Sequence, residues 1–183
     1  MMPVLLLTMK AEFMIFQRLA ILGLVLAMML PHSADALSSL KKPSGSIILS
    51  VTGNIERTNA EGRADLDWAL LESIGMVEIK TKTPFTDKPK VFRGVLARDL
   101  LQYLGASGTQ IEAAAINLYK VEVPIEDFER FDVLFAVEVD GKRLRIRDQG
   151  PSWIVYPWSH HEELDREIYS RRSVWQMNAI DVR

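Results

Sequence analysis

The sequence predicts a mixed α+β domain built on a largely antiparallel or mixed sheet with short helices, and three observations carry that prediction. Alternating apolar and polar runs recur along the chain at strand length. Short apolar stretches at helical spacing fall between them. The intervals between the two follow no regular βαβ period, and no internal repeat appears.

The first segment stands outside this pattern. Arg18 precedes an unbroken apolar run, Leu19 to Leu30, followed by Pro31 and by Ala34 and Ala36 at small-residue spacing. A basic flank, a short apolar core and an A-x-A site describe a secretory signal peptide. An uncleaved membrane anchor is the alternative, but the run is well short of the roughly 20 residues a membrane-crossing helix needs. Residues 1–36 are therefore expected to be a signal peptide, residues 37–46 a polar lead-in and residues 47–183 one domain, periplasmic or secreted.

Within the domain, "SIILSVTGNI" reads as a strand broken at Gly53-Asn54. Asp65 is placed to cap a helix over "LDWALLESI", with Leu66, Leu70, Leu71 and Ile74 at helical spacing and Gly75 as its stop. "MVEIKTKT" alternates as a strand and ends at Thr83-Pro84. "VFRG" is a short strand leading into a helix, "VLARDLLQYL", that Gly105 terminates. "IEAAAINLYKVEVP" reads as two short strands about Asn117, with a helix over the Ala run as the alternative, and Pro124 opens one helical turn at "IEDF". The clearest local signal is "DVLFAVEVDGKRLRI", where two alternating runs flank Asp140-Gly141, a preferred two-residue hairpin turn. A last helix over Ser159–Arg172 and a closing strand "VWQMNAIDV" complete the order.

Composition excludes several chemistries. With no cysteine there is no disulfide, no thiolate nucleophile and no metal held by protein thiolate. A net charge of -2 gives no electrostatic footprint for nucleic acid. The sequence has no G-x-S-x-G elbow, P-loop or G-x-G-x-x-G. His160 and Glu163 could share a helix face and hold a metal, but neighbouring His161 would point about 100° away. A capping box of Ser159 and Glu162, with acids in the first turn and Arg171 and Arg172 in the last, accounts for more residues. Trp68 is expected in the core. Trp153, Tyr156, Trp158 and Trp175 crowd the last third beside Arg145, Arg147, Arg171 and Arg172, suited to the wall of a planar or anionic ligand site. The competing reading sends Trp153 and Trp175 into the core and the arginines into solvent.

Taken together, "FRGVLARDLLQYLGA", "INLYKVEVPIEDF" and "DVLFAVEVDGKRLRIRDQGPSWIVYP" resemble, in order, three segments of the sulfite oxidase-type molybdopterin-binding domain. These are its W-x-G-v-x-L-x-D-L-L-x-x-x-G segment, its "DGY" strand with a short following helix, and its "DG" hairpin with a "G-x-P" turn. The resemblance runs from Ile47 to Val182 and implies that family's fold, with a groove edged by loops. It also implies a cysteine, ligating molybdenum, after the strand that precedes the first segment. Here that region reads "EIKTKTPFTDKP", with Thr81 and Thr83 at the expected place. A hard, weakly acidic hydroxyl cannot replace a soft thiolate. The resemblance thus implies a non-catalytic relative, binding a small-molecule ligand or a partner such as the periplasmic part of a membrane sensor. No cofactor is expected, molybdopterin being the one the family would imply. An oxidoreductase that retains molybdopterin without a cysteinyl ligand is the alternative. The candidate groove residues are Thr81, Thr83, Asn117, Tyr119, Arg147, Asp148 and Trp153.

Overall fold

The computed structural model describes residues 39–183; the expected signal peptide lies outside them. Two five-stranded sheets and a few short helices make up this body. Its strands are β1 (Leu49–Gly53), β2 (Ala64–Leu66), β3 (Met76–Thr81), β4 (Lys90–Leu96), β5 (Gln110–Ala115), β6 (Lys120–Pro124), β7 (Leu134–Val139), β8 (Lys142–Arg143), β9 (Trp153–Val155) and β10 (Met177–Val182). The helices are α1 (Trp68–Ile74), α2 (Ala97–Tyr103), α3 (Glu126–Arg130) and α4 (Glu167–Arg172).

One sheet has the order β2-β1-β10-β5-β6 and the other β3-β4-β7-β8, with β9 also on β7. Every named strand pair is antiparallel except β1 with β10, which run parallel and bring the first and last strands together at the centre of their sheet. The main core lies where this sheet, α1 and α2 meet the inner face of the second sheet, through Leu49, Val51, Leu71, Leu100, Ile111, Phe135, Ile154 and Ile180. The period-2 geometry of β7 and β9 sends Phe135, Val137 and Ile154 into that core. Leu134, Ala136, Trp153 and Val155 go to the opposite face, where Phe92 and Leu144 close a second, smaller cluster. Gly94 is needed where β4 crosses β7 beside a bulge: a Cβ there would lie 2.1 Å from the Phe135 carbonyl oxygen.

Most elements form where the sequence places them. The hairpin at Asp140-Gly141 has both turn residues at positive φ (48° and 73°), as its turn type requires. The β5–β6 pair turns about Asn117, and the short turn after Pro124 forms as α3.

Several local expectations are corrected. Asp65 does not cap α1. It belongs to β2, whose Leu66 pairs with Leu49, and its carboxylate is held by Ser50 and Arg63. The cap is Asp67, which accepts from the Leu70 N–H at 2.9 Å. Val95 and Leu96 are strand residues rather than helix residues, because β4 continues along both β3 and β7 as far as the start of α2.

The single helix expected over Ser159–Arg172 is two pieces, a 3-10 turn at Glu162–Leu164 and then α4. Ser159 is unavailable as a cap, since its Oγ accepts from the Lys82 N–H while its own N–H donates to Thr81. His160 and Glu163 share no helix face, and Glu163 pairs with Arg130 instead. Leu164 and Ile168, which one helix would place on a common buried stripe, part company: Leu164 is buried and Ile168 exposed. Trp68 is only half-buried, its ring covered by the Arg143 guanidinium 3.8 Å away. Leu40, in the expected lead-in, is buried and donates its N–H to Thr58.

Candidate functional site

Four segments converge beside the end of the first sheet. The β5–β6 turn is tight: Leu118 donates its N–H to Ala115 and takes a left-handed conformation (φ 69°) where glycine is usual. This turn holds Asn117 and Tyr119 outward, with the Asn117 Oδ1 accepting from the Tyr119 N–H. The loop after β3 is closed by its own threonines. Thr83 Oγ1 accepts from the Phe85 N–H and Thr86 Oγ1 from the Thr83 N–H, so Phe85 stands half out of the surface. Helix α4 supplies Glu167, Ser170 and Arg171. The segment between α4 and β10 supplies Ser173, Val174 and Trp175.

Together these enclose a cavity of about 460 Å³ whose walls are mainly apolar and aromatic: Phe85, Ala115, Tyr119, Val174 and Trp175. Polar groups are few. The Tyr119 hydroxyl donates to the Arg171 carbonyl at 3.3 Å, and the Arg171 guanidinium grips Glu167 through both Nε and Nη2. In the same segments as the cavity walls, Ile116, Leu118 and Ile168 add exposed aliphatic surface.

Trp153 supports this wall from behind. It is buried, edge-on to Phe92 with centroids 5.4 Å apart and tilted against Phe85 at 6.1 Å. Its Nε1–H donates to Ser173 Oγ, which in turn donates to the Ile154 carbonyl. Trp175, by contrast, stays 38% exposed: Gln176 adopts a positive φ (53°) and strand β10 begins only at Met177, so alternation does not carry the ring inward.

Helix α4 is anchored through Arg172, which donates to Asp127 Oδ2 at 2.8 Å. The same oxygen accepts from the buried Tyr156 hydroxyl at 2.7 Å. Burial, and then the Asp127 charge, push the Tyr156 phenol far above its usual range, so it remains a proton donor. Arg172 is therefore not the solvated helix-end cation expected from the sequence.

A second depression, about 640 Å³, shares Glu167 and Ser170 with the first. It is bounded by Lys82, Thr83, Trp158, His161, Asp165 and Arg166, among others. Thr81 lies beneath, fully buried. Its hydroxyl donates to the Lys82 carbonyl at 2.9 Å and accepts from the Ser159 N–H at 2.9 Å. The position at which the family resemblance requires a thiolate thus holds an oxygen already engaged on both sides. These residues do not fit a cysteine-anchored molybdenum centre. Among the described residues no three His, Asp or Glu side chains group so as to hold a metal.

Of the candidate groove residues, the structure brings Asn117 and Tyr119 into one cavity, with Thr83 in the loop beside it and Trp153 behind. Arg147 and Asp148 lie elsewhere, on an exposed 3-10 turn at Ile146–Asp148 where Arg145 pairs with Asp148 at 2.6 Å. Asp148 borders a different depression, with Lys90, Asp140 and Lys142. Phe85, Glu167 and Ser170 were not legible as site residues. Only the Thr-Pro-Phe-Thr turn chemistry around Phe85 hinted that a side chain would be displayed there.

No family model matches the chain, and no curated relative matches it. A solved structure does. The sulfane dehydrogenase SoxCD from Paracoccus pantotrophus superimposes with a TM-score of 0.54 at 14% identity, over 78% of this chain and 39% of that one. The likeness is one of fold. The chain spans well under half the length of this neighbour, which is named as a sulfane dehydrogenase, and shares its mixed α/β architecture.

Proposed function

We propose that this chain is a non-catalytic, exported domain of the sulfite oxidase-like molybdopterin-binding fold. It binds a small ligand through the cavity between the β5–β6 turn, the Phe85 loop and α4. The observation that carries this reading is the cavity: its size falls in the range of small-molecule sites, with aromatic and aliphatic walls and few polar groups. A flat ligand would stack on Phe85, Tyr119 or Trp175 and take hydrogen bonds from Asn117 or Ser170. The buried, doubly hydrogen-bonded Thr81 supports the non-catalytic part. The exposed apolar rim suits a protein partner in the same role, such as the periplasmic part of a membrane sensor.

The rival reading is an oxidoreductase that keeps molybdopterin without a cysteinyl ligand, which the fold shared with a sulfane dehydrogenase favours. Metal analysis of protein purified from its native host, with pterin analysis of an acid extract, separates the two. Substoichiometric molybdenum and no pterin is the expected result. One molybdenum per chain overturns the proposal.

A further inference from the structure

Away from this cavity, three cations that make no ion pair among the described residues face one depression. The segment before β1 is fixed at both ends. The buried Leu40 donates its N–H to Thr58, and the Ser44 N–H donates to Asp67 at 2.7 Å. Between these anchors Lys41 and Lys42 are exposed, and the Lys41 carbonyl accepts from Asn59 Nδ2. Opposite them, Arg57 lies 4.2 Å over the Tyr103 ring and donates Nη1 to the Tyr103 carbonyl. All three line a depression of about 570 Å³, together with Ser39, Ser73 and Tyr103.

Of the cations that border other depressions, Lys90, Arg145 and Arg171 have a carboxylate within 4 Å, while Lys82, Lys142, Arg143 and Arg166 form no ion pair among the described residues. Among the described residues, Lys41, Lys42 and Arg57 have none, and the Arg57 Nε is buried without an acceptor. The one carboxylate in the lining, Asp67, is engaged by the Ser44, Gly45 and Leu70 N–H groups and makes no ion pair.

We propose that this depression binds a phosphate group carried on a larger molecule. Three cations against one carboxylate leave a local excess of two positive charges, which matches a phosphate dianion better than a monocarboxylate. An arginine held by stacking and one carbonyl is oriented in advance for oxyanion contact, while the lysines act as point charges. The depression is too roomy for phosphate alone, so the rest of the ligand fills it. A soluble phosphomonoester and the phosphomonoester headgroup of phosphatidic acid share this chemistry.

The test titrates the full chain with inorganic phosphate against sodium chloride at equal ionic strength. In parallel, its binding to phosphatidylcholine vesicles is compared with and without phosphatidic acid. Lys41→Gln/Lys42→Gln changes only exposed side chains and leaves the fold intact. Arg57→Gln is the second variant, checked for folding by circular dichroism. Saturable phosphate binding, weakened about tenfold or more by the double variant, supports the site with a soluble ligand. Preference for anionic vesicles without free phosphate binding, lost in the same variant, supports it with a lipid source. A response to phosphate no different from chloride, together with no anionic-vesicle preference, overturns it. So does any binding that the double variant leaves unchanged.

Discussion

The contact that fixes the cavity's α4 wall is the buried junction of Asp127, Tyr156 and Arg172, and Asp127→Ala breaks it. The substitution leaves the Tyr156 hydroxyl and the Arg172 guanidinium facing each other without an acceptor. Removing one partner from a buried ion pair costs about 3–5 kcal/mol. The Arg172 side chain keeps 17% exposure and can recover some hydration, which places the expected loss near the lower end, about 3 kcal/mol. For a body of this size that corresponds to a fall in Tm of roughly 6–12 °C. Urea unfolding followed by far-ultraviolet circular dichroism measures it. A double-mutant cycle with Arg172→Met isolates the pair. The arginine's removal should cost much less in the Asp127→Ala background than in the wild type, because the stranded charge is then gone. Tyr156 gives an internal control: its phenol should not ionise until the protein unfolds at alkaline pH. A loss under about 0.5 kcal/mol for Asp127→Ala, or strict additivity in the cycle, would refute the reasoning, since either result means the junction is hydrated.

Two further outcomes follow from the hydrogen bonding. Burial alone would raise the Asp67 carboxyl, but the N–H groups of Leu70, Gly45 and Ser44 outweigh it and hold the group below the usual carboxylate range. Its stabilising contribution is thus complete above the unfolded value of about 4 and is lost as pH falls through the lower folded value. Asp67→Asn should therefore destabilise by about 2 kcal/mol at neutral pH, with the gap to wild type narrowing below about pH 4 in acid-unfolding curves. Thr81→Val removes the acceptor for the Ser159 N–H at nearly constant volume and should cost about 1–3 kcal/mol in urea unfolding. An unchanged midpoint would mean that the hydroxyl is not holding the Ser159 turn.

Local rules made much of the fold legible. Asp140-Gly141, the alternation of "LFAVEV" and the Gly105 stop each depend on neighbours a few residues away. The errors arose where a distant segment decided the outcome. Leu66 reads as helical by spacing but is drawn into β2 by its pairing with Leu49 of β1. Ser159 reads as a cap but is claimed by Lys82 and Thr81, more than 70 residues earlier. Arg172 reads as a solvated helix end until Asp127 meets it.

The site divides the same way. Turn chemistry around Asn117 and the clustering of aromatics could be read along the chain, and so could the lack of any cysteine, which follows from composition alone. Which of those side chains share a cavity could not. Arg147 and Asp148 are near Trp153 in sequence, yet the turn at Gln149–Pro151 sends them to another face, while Phe85 and Trp175, 90 residues apart, meet at one wall. The sequence by itself determined the short-range elements and the absence of a thiolate, because each depends on residue type and near neighbours. Only the tertiary structure decided the cavity, because its walls come from four segments that long-range strand pairing and the Asp127–Arg172 junction bring together.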